Sequence, residues 1–122
     1  MTLRVMIADD DAVSRATIEA YLDTDDGLEL VGSAEDASSA VALALEQRPD
    51  VAVLDWVMPG GGGSAAAREI LEHIPDMRIV ALTSSDTAEA ELDMLRSGAK
   101  SFLVKGGSAE ELVRTVRRAM DL

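Results

Sequence analysis

The 122 residues suffice for one domain and leave no room for two. Hydrophobic residues make up 48% and cysteine is absent, so an aliphatic core is available while disulfide frameworks and thiolate metal sites are excluded. A formal net charge of −12 repels phosphate backbones and anionic lipid, which argues against nucleic-acid or membrane binding by this chain itself.

The N-terminus opens into Thr2-Leu3-Arg4-Val5 without an apolar signal core, and no apolar run is long enough for a membrane span, so a cytoplasmic protein is expected. A first strand is predicted over Leu3–Ala8, ending in Asp9-Asp10-Asp11. Helical period follows over Val13–Leu22, with Asp11 placed to cap it. Next come a strand over Leu28–Ala34 and a helix over Ala37–Gln47, which Pro49 stops. The third strand, Val51–Asp55, leads through Trp56 into Gly60-Gly61-Gly62-Gly63-Ser64. That run has the composition of a flexible linker. Its place between a buried strand and a helix over Ser64–His73 makes it a strand-to-helix loop instead. Beyond Pro75 lies a fourth strand, Ile79–Thr83. Asp86 and Glu89 then stand at capping-box spacing before a helix that carries Leu92 and Leu95, with Gly98 past its end. The fifth strand, Ser101–Val104, is followed by Lys105. In the last helix Ser108 and Glu111 repeat the capping spacing, and Ala109, Leu112, Val113, Val116 and Met120 share one stripe.

Three of the strand runs, Val5-Met6-Ile7, Val51-Ala52-Val53-Leu54 and Ile79-Val80-Ala81-Leu82, are continuously apolar, as strands covered on both faces are. Five strand–helix alternations predict an α/β fold: a parallel, doubly wound sheet with helices on both faces and right-handed crossovers.

In such sheets ligands bind outside the carboxyl ends of the strands. Those ends carry Asp9, Asp10 and Asp11, then Asp55, Thr83 and Lys105. Each has a plain explanation alone. Asp11 suits a helix cap, Thr83 a β-former and Lys105 a solvated charge. Four strand ends delivering polar groups to one edge is harder to explain by accident. Carboxylates about 5 Å apart repel by roughly 3 kcal/mol at an effective dielectric near 20, so Asp9, Asp10 and Asp55 call for a cation. Oxygen ligands without His or Cys favour Mg²⁺. A carboxylate nucleophile beside Mg²⁺, a lysine and a hydroxyl forms a phosphoryl-transfer site.

At these residues the sequence resembles the receiver domain of bacterial two-component response regulators, over essentially all of residues 1–122. The likeness rests on Asp9-Asp10, on Asp55 followed by Met58-Pro59 and Gly63, on Thr83, and on Phe102 with Lys105. It implies a flavodoxin-like five-stranded sheet of order 2-1-3-4-5. It also implies that Asp55 accepts phosphate from a sensor histidine kinase or a phosphotransfer protein. Asp10, Asp55 and the backbone carbonyl of Val57 would bind Mg²⁺, with Asp9 assisting through water. Lys105 and Thr83 would contact phosphoryl oxygens. Thr83 and Phe102 would move together as a switch that remodels the face built from the fourth helix, fifth strand and fifth helix. Departures are Gly106 where many relatives have proline, a form seen in the branch that often precedes a helix-turn-helix domain, and Ser84 in place of Ala or Gly. A further departure is the four-glycine loop, expected to be slack and to raise the entropy cost of ordering the third helix.

Other residues have duller readings. His73 is expected to be structural, and the six methionines to fill core. Trp56 is left open between surface and output contact. Glu89, Glu91 and Asp93 make the fourth helix acidic, while Arg114, Arg117 and Arg118 make the fifth basic. Two solvated faces are the plain expectation; pairing with a second copy is the sharper one. Among rivals, a haloacid-dehalogenase-type phosphohydrolase needs a second acid two residues after its nucleophile, where Val57 stands. A nucleotide module lacks the Walker lysine. A degenerate receiver working only as a phosphorylation-independent interaction domain is the remaining alternative.

Overall fold

The computed structural model describes residues 2–84 and 87–121. Ten elements alternate along the chain: β1 (Leu3–Ala8), α1 (Ala12–Leu22), β2 (Leu28–Ala34), α2 (Ala37–Gln47), β3 (Val51–Asp55), α3 (Gly62–His73), β4 (Arg78–Thr83), α4 (Ala88–Arg96), β5 (Ser101–Val104) and α5 (Ala109–Ala119). The strands pair in parallel in the order β2-β1-β3-β4-β5, the flavodoxin-like topology expected from the resemblance.

Strand alternation divides the apolar residues between two cores. Val5, Ile7, Val51, Val53, Val80 and Leu82 face α1 and α5, meeting Ile18, Leu22, Leu112 and Val116. Met6, Ala8, Ala52, Leu54, Ile79 and Ala81 face the other way, against α2, α3 and α4. The α2 and α3 surfaces are built from Ala37, Ala40, Ala44, Ala66 and Ala67, so these helices can lie close to the strands. Parity then fixes the site. Counted onward in twos from Ile7, Val53 and Leu103, positions 9, 55 and 105 fall at the α1/α5 side of the carboxyl edge.

The helix signals act as the sequence suggests, with some differences. Asp11 caps α1, accepting from the N–H groups of Val13 and Ser14. Ser108 accepts from the N–H of Glu111. A complete capping box forms at Asp36 and Ser39, which the sequence pattern does not announce. For α4, Asp86 lies outside the described residues, and Thr87 is the cap, accepting from Ala90 N. Strand β4 starts one residue before the predicted Ile79, at Arg78.

Helix α3 begins at Gly62, two residues before the predicted Ser64, because the glycine run is not slack. Gly60, Gly61 and Gly62 have φ of +87°, +104° and +72°, a region costly for any residue with a Cβ. A Cβ on Gly62 would lie 2.4 Å from the Trp56 carbonyl oxygen, and one on Gly63 would lie 2.5 Å from Trp56 Cε3. The run is therefore a turn packed beneath Trp56.

Candidate phosphoryl-transfer site

The sheet brings Asp9, Asp10, Asp55 and Lys105 together from the ends of β1, β3 and β5. One carboxylate oxygen from each acid lies within 4.8 Å of the others. Lys105 Nζ donates to Oδ2 of Asp9 and to Oδ2 of Asp55, at 2.9 Å each. Its backbone is held too, its N–H donating to the Thr83 carbonyl at 2.7 Å. Asp9 and Asp55 are buried, while Asp10 is exposed at the rim.

Asp9 is fully engaged. Oδ1 accepts from the N–H of Asp11 at 2.9 Å, and Oδ2 takes the Ser14 hydroxyl besides Lys105. Burial would raise its pKa, but the bonds from Ser14, Lys105 and Asp11 outweigh that and hold the carboxyl below its ordinary value. Among the described residues Asp55 has fewer donors: Lys105, and the Val57 N–H to Oδ1 at 3.2 Å. Burial dominates there and raises its pKa, with the neighbouring Asp9 charge adding to the effect. Lys105 would be lowered by burial, yet hydrogen bonds to Asp9 and Asp55 push it up. The cluster thus pairs one firmly ionised acid with a less comfortable one. Asp55 is the better placed of the two to gain from a new partner.

Thr83 is buried at the end of β4 and Phe102 half-buried in β5. Phe102 packs against the α2/α3/α4 core, and the alternation of β4 sets position 83 on that same side. Val57 is exposed, as is Ser84 beside Thr83. Gly106 has φ +97° and faces open space, where an added Cβ would meet no atom within 4 Å; no cis peptide occurs among the described residues. His73 is exposed at the end of α3, its Nδ1 near the Glu69 carbonyl.

Three residues make contacts that sequence reasoning misses. Ser14 binds Asp9, and Arg15 donates to the Asp9 carbonyl at 2.7 Å while pairing with Glu35 at 3.2 Å. Both lie in the first turn of the helix that follows the acids, five and six residues after Asp9, a placement that could have flagged them. Trp56 Nε1 donates to Asp93 Oδ2 at 2.7 Å, across 37 residues, which no local pattern signals. The expected contrast of acidic α4 and basic α5 is also partly spent inside the chain. Asp93 holds Trp56, and Arg117 binds Asp25 through two bonds of 2.6 and 3.1 Å.

An open parallel sheet with acids and a lysine at its carboxyl edge defines a phosphoaccepting signalling module. The chain belongs to the response regulator receiver domain family, whose model matches residues 5–117. It is 39% identical over 116 residues to the oxygen regulatory protein NreC of Staphylococcus epidermidis. It is 38% identical over 115 residues to the DNA-binding transcriptional activator DevR/DosR of Mycobacterium tuberculosis. Each alignment covers 94% of this chain and 53% of the relative, so the chain spans about half the length of these curated relatives. Its fold is similar to that of a two-component response regulator of the LuxR family from Aurantimonas sp. SI85-9A1. The TM-score is 0.94 at 29% identity, over 99% of this chain and 86% of that one.

Proposed function

We propose that Asp55 is the phosphoacceptor, taking a phosphoryl group from a sensor histidine kinase or a phosphotransfer protein. An Asp55 oxygen forms the new P–O bond, the P–N bond of the donor phosphohistidine breaks, and its electron pair stays on the imidazole. The observation that carries this reading is the Lys105 ammonium, 2.9 Å from both Asp9 and Asp55 beside the exposed Asp10. It supplies charge where the phosphoryl oxygens would arrive.

The donor set suits Mg²⁺: carboxylate oxygens within 4.8 Å of one another, with no nitrogen or sulfur ligand in the cluster. Asp10, Asp55 and the Val57 carbonyl would hold the ion, and Asp9, whose oxygens already accept three donors, would assist through water. When bound, Mg²⁺ neutralises charge on the transferring group. Lys105 and Thr83 donate to phosphoryl oxygens. With Val57 two residues beyond the acceptor there is no side chain to activate water, so the domain holds phosphate as a signal. It assists its own phosphorylation and slow dephosphorylation without turning over a substrate.

Thr83 and Phe102, on one side of the sheet, form the switch that alters the α4/β5/α5 face. Moving such a switch from mostly inactive to mostly active takes about 5.5 kcal/mol of differential interaction. The 122 residues work as one receiver unit in the cytoplasm; among the described residues no helix is long and apolar enough to cross a membrane. DNA binding, as in the named relative DevR/DosR, would belong to residues beyond this acidic unit. A second copy is a further partner, and Arg114 and Arg118 are the cleaner residues to reverse because Arg117 is tied to Asp25. Unchanged sedimentation of the phosphorylated double variant would end that idea.

The acceptor is tested by adding Mg²⁺ with beryllofluoride or acetyl phosphate and following Trp56 fluorescence. The native protein should respond and Asp55→Asn should not. An equal response from both sinks the assignment.

A further inference from the structure

Asp55 and Trp56 are neighbours in sequence that serve opposite sides of the sheet. The alternation that turns Asp55 toward α1 and α5 turns Trp56 toward α2, α3 and α4, where its ring packs against that core. The Trp56 backbone is pinned twice, its N–H to the Leu82 carbonyl at 2.8 Å and its carbonyl to the Gly63 N–H at 3.1 Å. From this anchored position the indole N–H reaches Asp93 in α4, at 2.7 Å.

Among the described residues helix α4 has little else to hold it beyond the partly buried Ala90. Met94 is its one buried residue among those described, and Leu92 and Leu95 lie in solvent. A second polar link joins Ser64 of α3 to Ser97, the C-cap of α4, with hydroxyl oxygens 2.8 Å apart. An element with so few apolar contacts depends on such links for its position.

We infer that the Trp56–Asp93 hydrogen bond is a latch that holds α4 in its resting position and is released when Asp55 is phosphorylated. The inference rests on Asp55 being the acceptor. In the resting turn the Val57 N–H donates to Asp55 Oδ1 at 3.2 Å. A phosphoryl group on Asp55 would compete for that N–H, and the Val57 carbonyl would be engaged when a cation is held, so the turn is loaded at Asp55 and at Val57. Trp56 is the residue between them. As the turn shifts, the indole N–H shifts with it and the bond to Asp93 Oδ2 loses its alignment. A bond made in only one of two states shifts the balance between them. Trp56 is therefore a positioning residue. It touches no reacting atom, and its route to α4 is separate from that through Thr83 and Phe102.

The test uses Trp56→Phe, which keeps a ring and loses the N–H, with Asp93→Ala, Asp93→Asn and the Trp56→Phe/Asp93→Ala double variant. The readouts are beryllofluoride affinity by calorimetry and the rate of phosphorylation by acetyl phosphate, both with Mg²⁺. Releasing the latch should raise both by about three- to tenfold in Trp56→Phe and in Asp93→Ala. The double variant should match either single one, since all three lack the same bond. Asp93→Asn keeps an oxygen acceptor and should stay within about twofold of native. Native-like behaviour of both single variants would overturn the latch. So would effects that multiply in the double variant, or Asp93→Asn behaving as Asp93→Ala, which would make charge and not the bond responsible. Beryllofluoride binding that survives Asp55→Asn would instead overturn the acceptor assignment, and the latch with it.

Discussion

Strand β3, and β1 from Val5 onward, are sealed on both faces. From Val5 to Ala8 and from Val51 to Leu54 every residue is 0% exposed, and Asp9 and Asp55 at their ends are 0% and 4% exposed. The α4–β5 side differs. No described residue of β5 is buried, and Leu92, Leu95 and Val104 are 46%, 57% and 40% exposed. The contrast shows where each task can be placed. Chemistry needs side chains held to fractions of an ångström, which a close-packed strand end provides. A response needs an element that can be displaced at small cost, which a lightly packed helix and edge strand provide.

Truncating the core should show the contrast most strongly. Leu54→Ala should cost about 2–5 kcal/mol in urea unfolding, because a 0% exposed side chain leaves a cavity between β3 and its neighbours. Leu95→Ala should stay within about 0.5 kcal/mol. Equal costs would erase the distinction between centre and edge. The turn after Asp55 comes next. Gly62→Ala combines φ +72° with a contact of 2.4 Å to the Trp56 carbonyl and should cost about 1–3 kcal/mol. Gly106→Ala, at φ +97° in open space, should cost less. The reverse order would mean that the glycine run is slack after all.

The centre also carries an electrostatic strain. Burial raises the Asp55 pKa, so the folded state holds that proton more tightly than the unfolded chain. Stability from this group therefore falls as pH climbs from the ordinary carboxylate value through the folded one. Without divalent cations, Asp55→Asn should be more stable than native at pH 7, with the gap closing on acidification. An asparagine variant no more stable at pH 7 would remove the strain. The smallest effect belongs to the surface. The Arg117 hydrogen bond, aided by the Gly27 N–H, lowers the Asp25 pKa. That contribution is present above the ordinary carboxylate value and lost as pH falls through the depressed one. Arg117→Ala should shift the urea midpoint slightly at pH 7 and not at all in strong acid; a shift that persists there would point to lost packing.

Much of this is legible in the sequence because it is local. Strand limits at Leu3–Ala8, Leu28–Ala34, Val51–Asp55 and Ser101–Val104 follow from apolar runs bounded by turn residues, and the Asp11 cap follows from its place before a helical stripe. The α3 start is not legible, because glycine disfavours helix and only the packing of Gly63 under Trp56 overrides that preference. In the candidate site, Asp9, Asp10, Asp55 and Lys105 can be read from strand ends. That Lys105 divides itself between two acids, and that Trp56 reaches Asp93, depends on side-chain reach across the finished sheet.

The pairing of Asp9 with Lys105 binds together positions 96 residues apart. Until the last strand docks, the first strand must carry a carboxylate into the interior with no ammonium to meet it, a state several kcal/mol uphill. Partly assembled chains are penalised for that reason, and the two ends of the polypeptide should fold and melt in a single cooperative step. The ammonium of Lys105 thereby ties the first strand to the last.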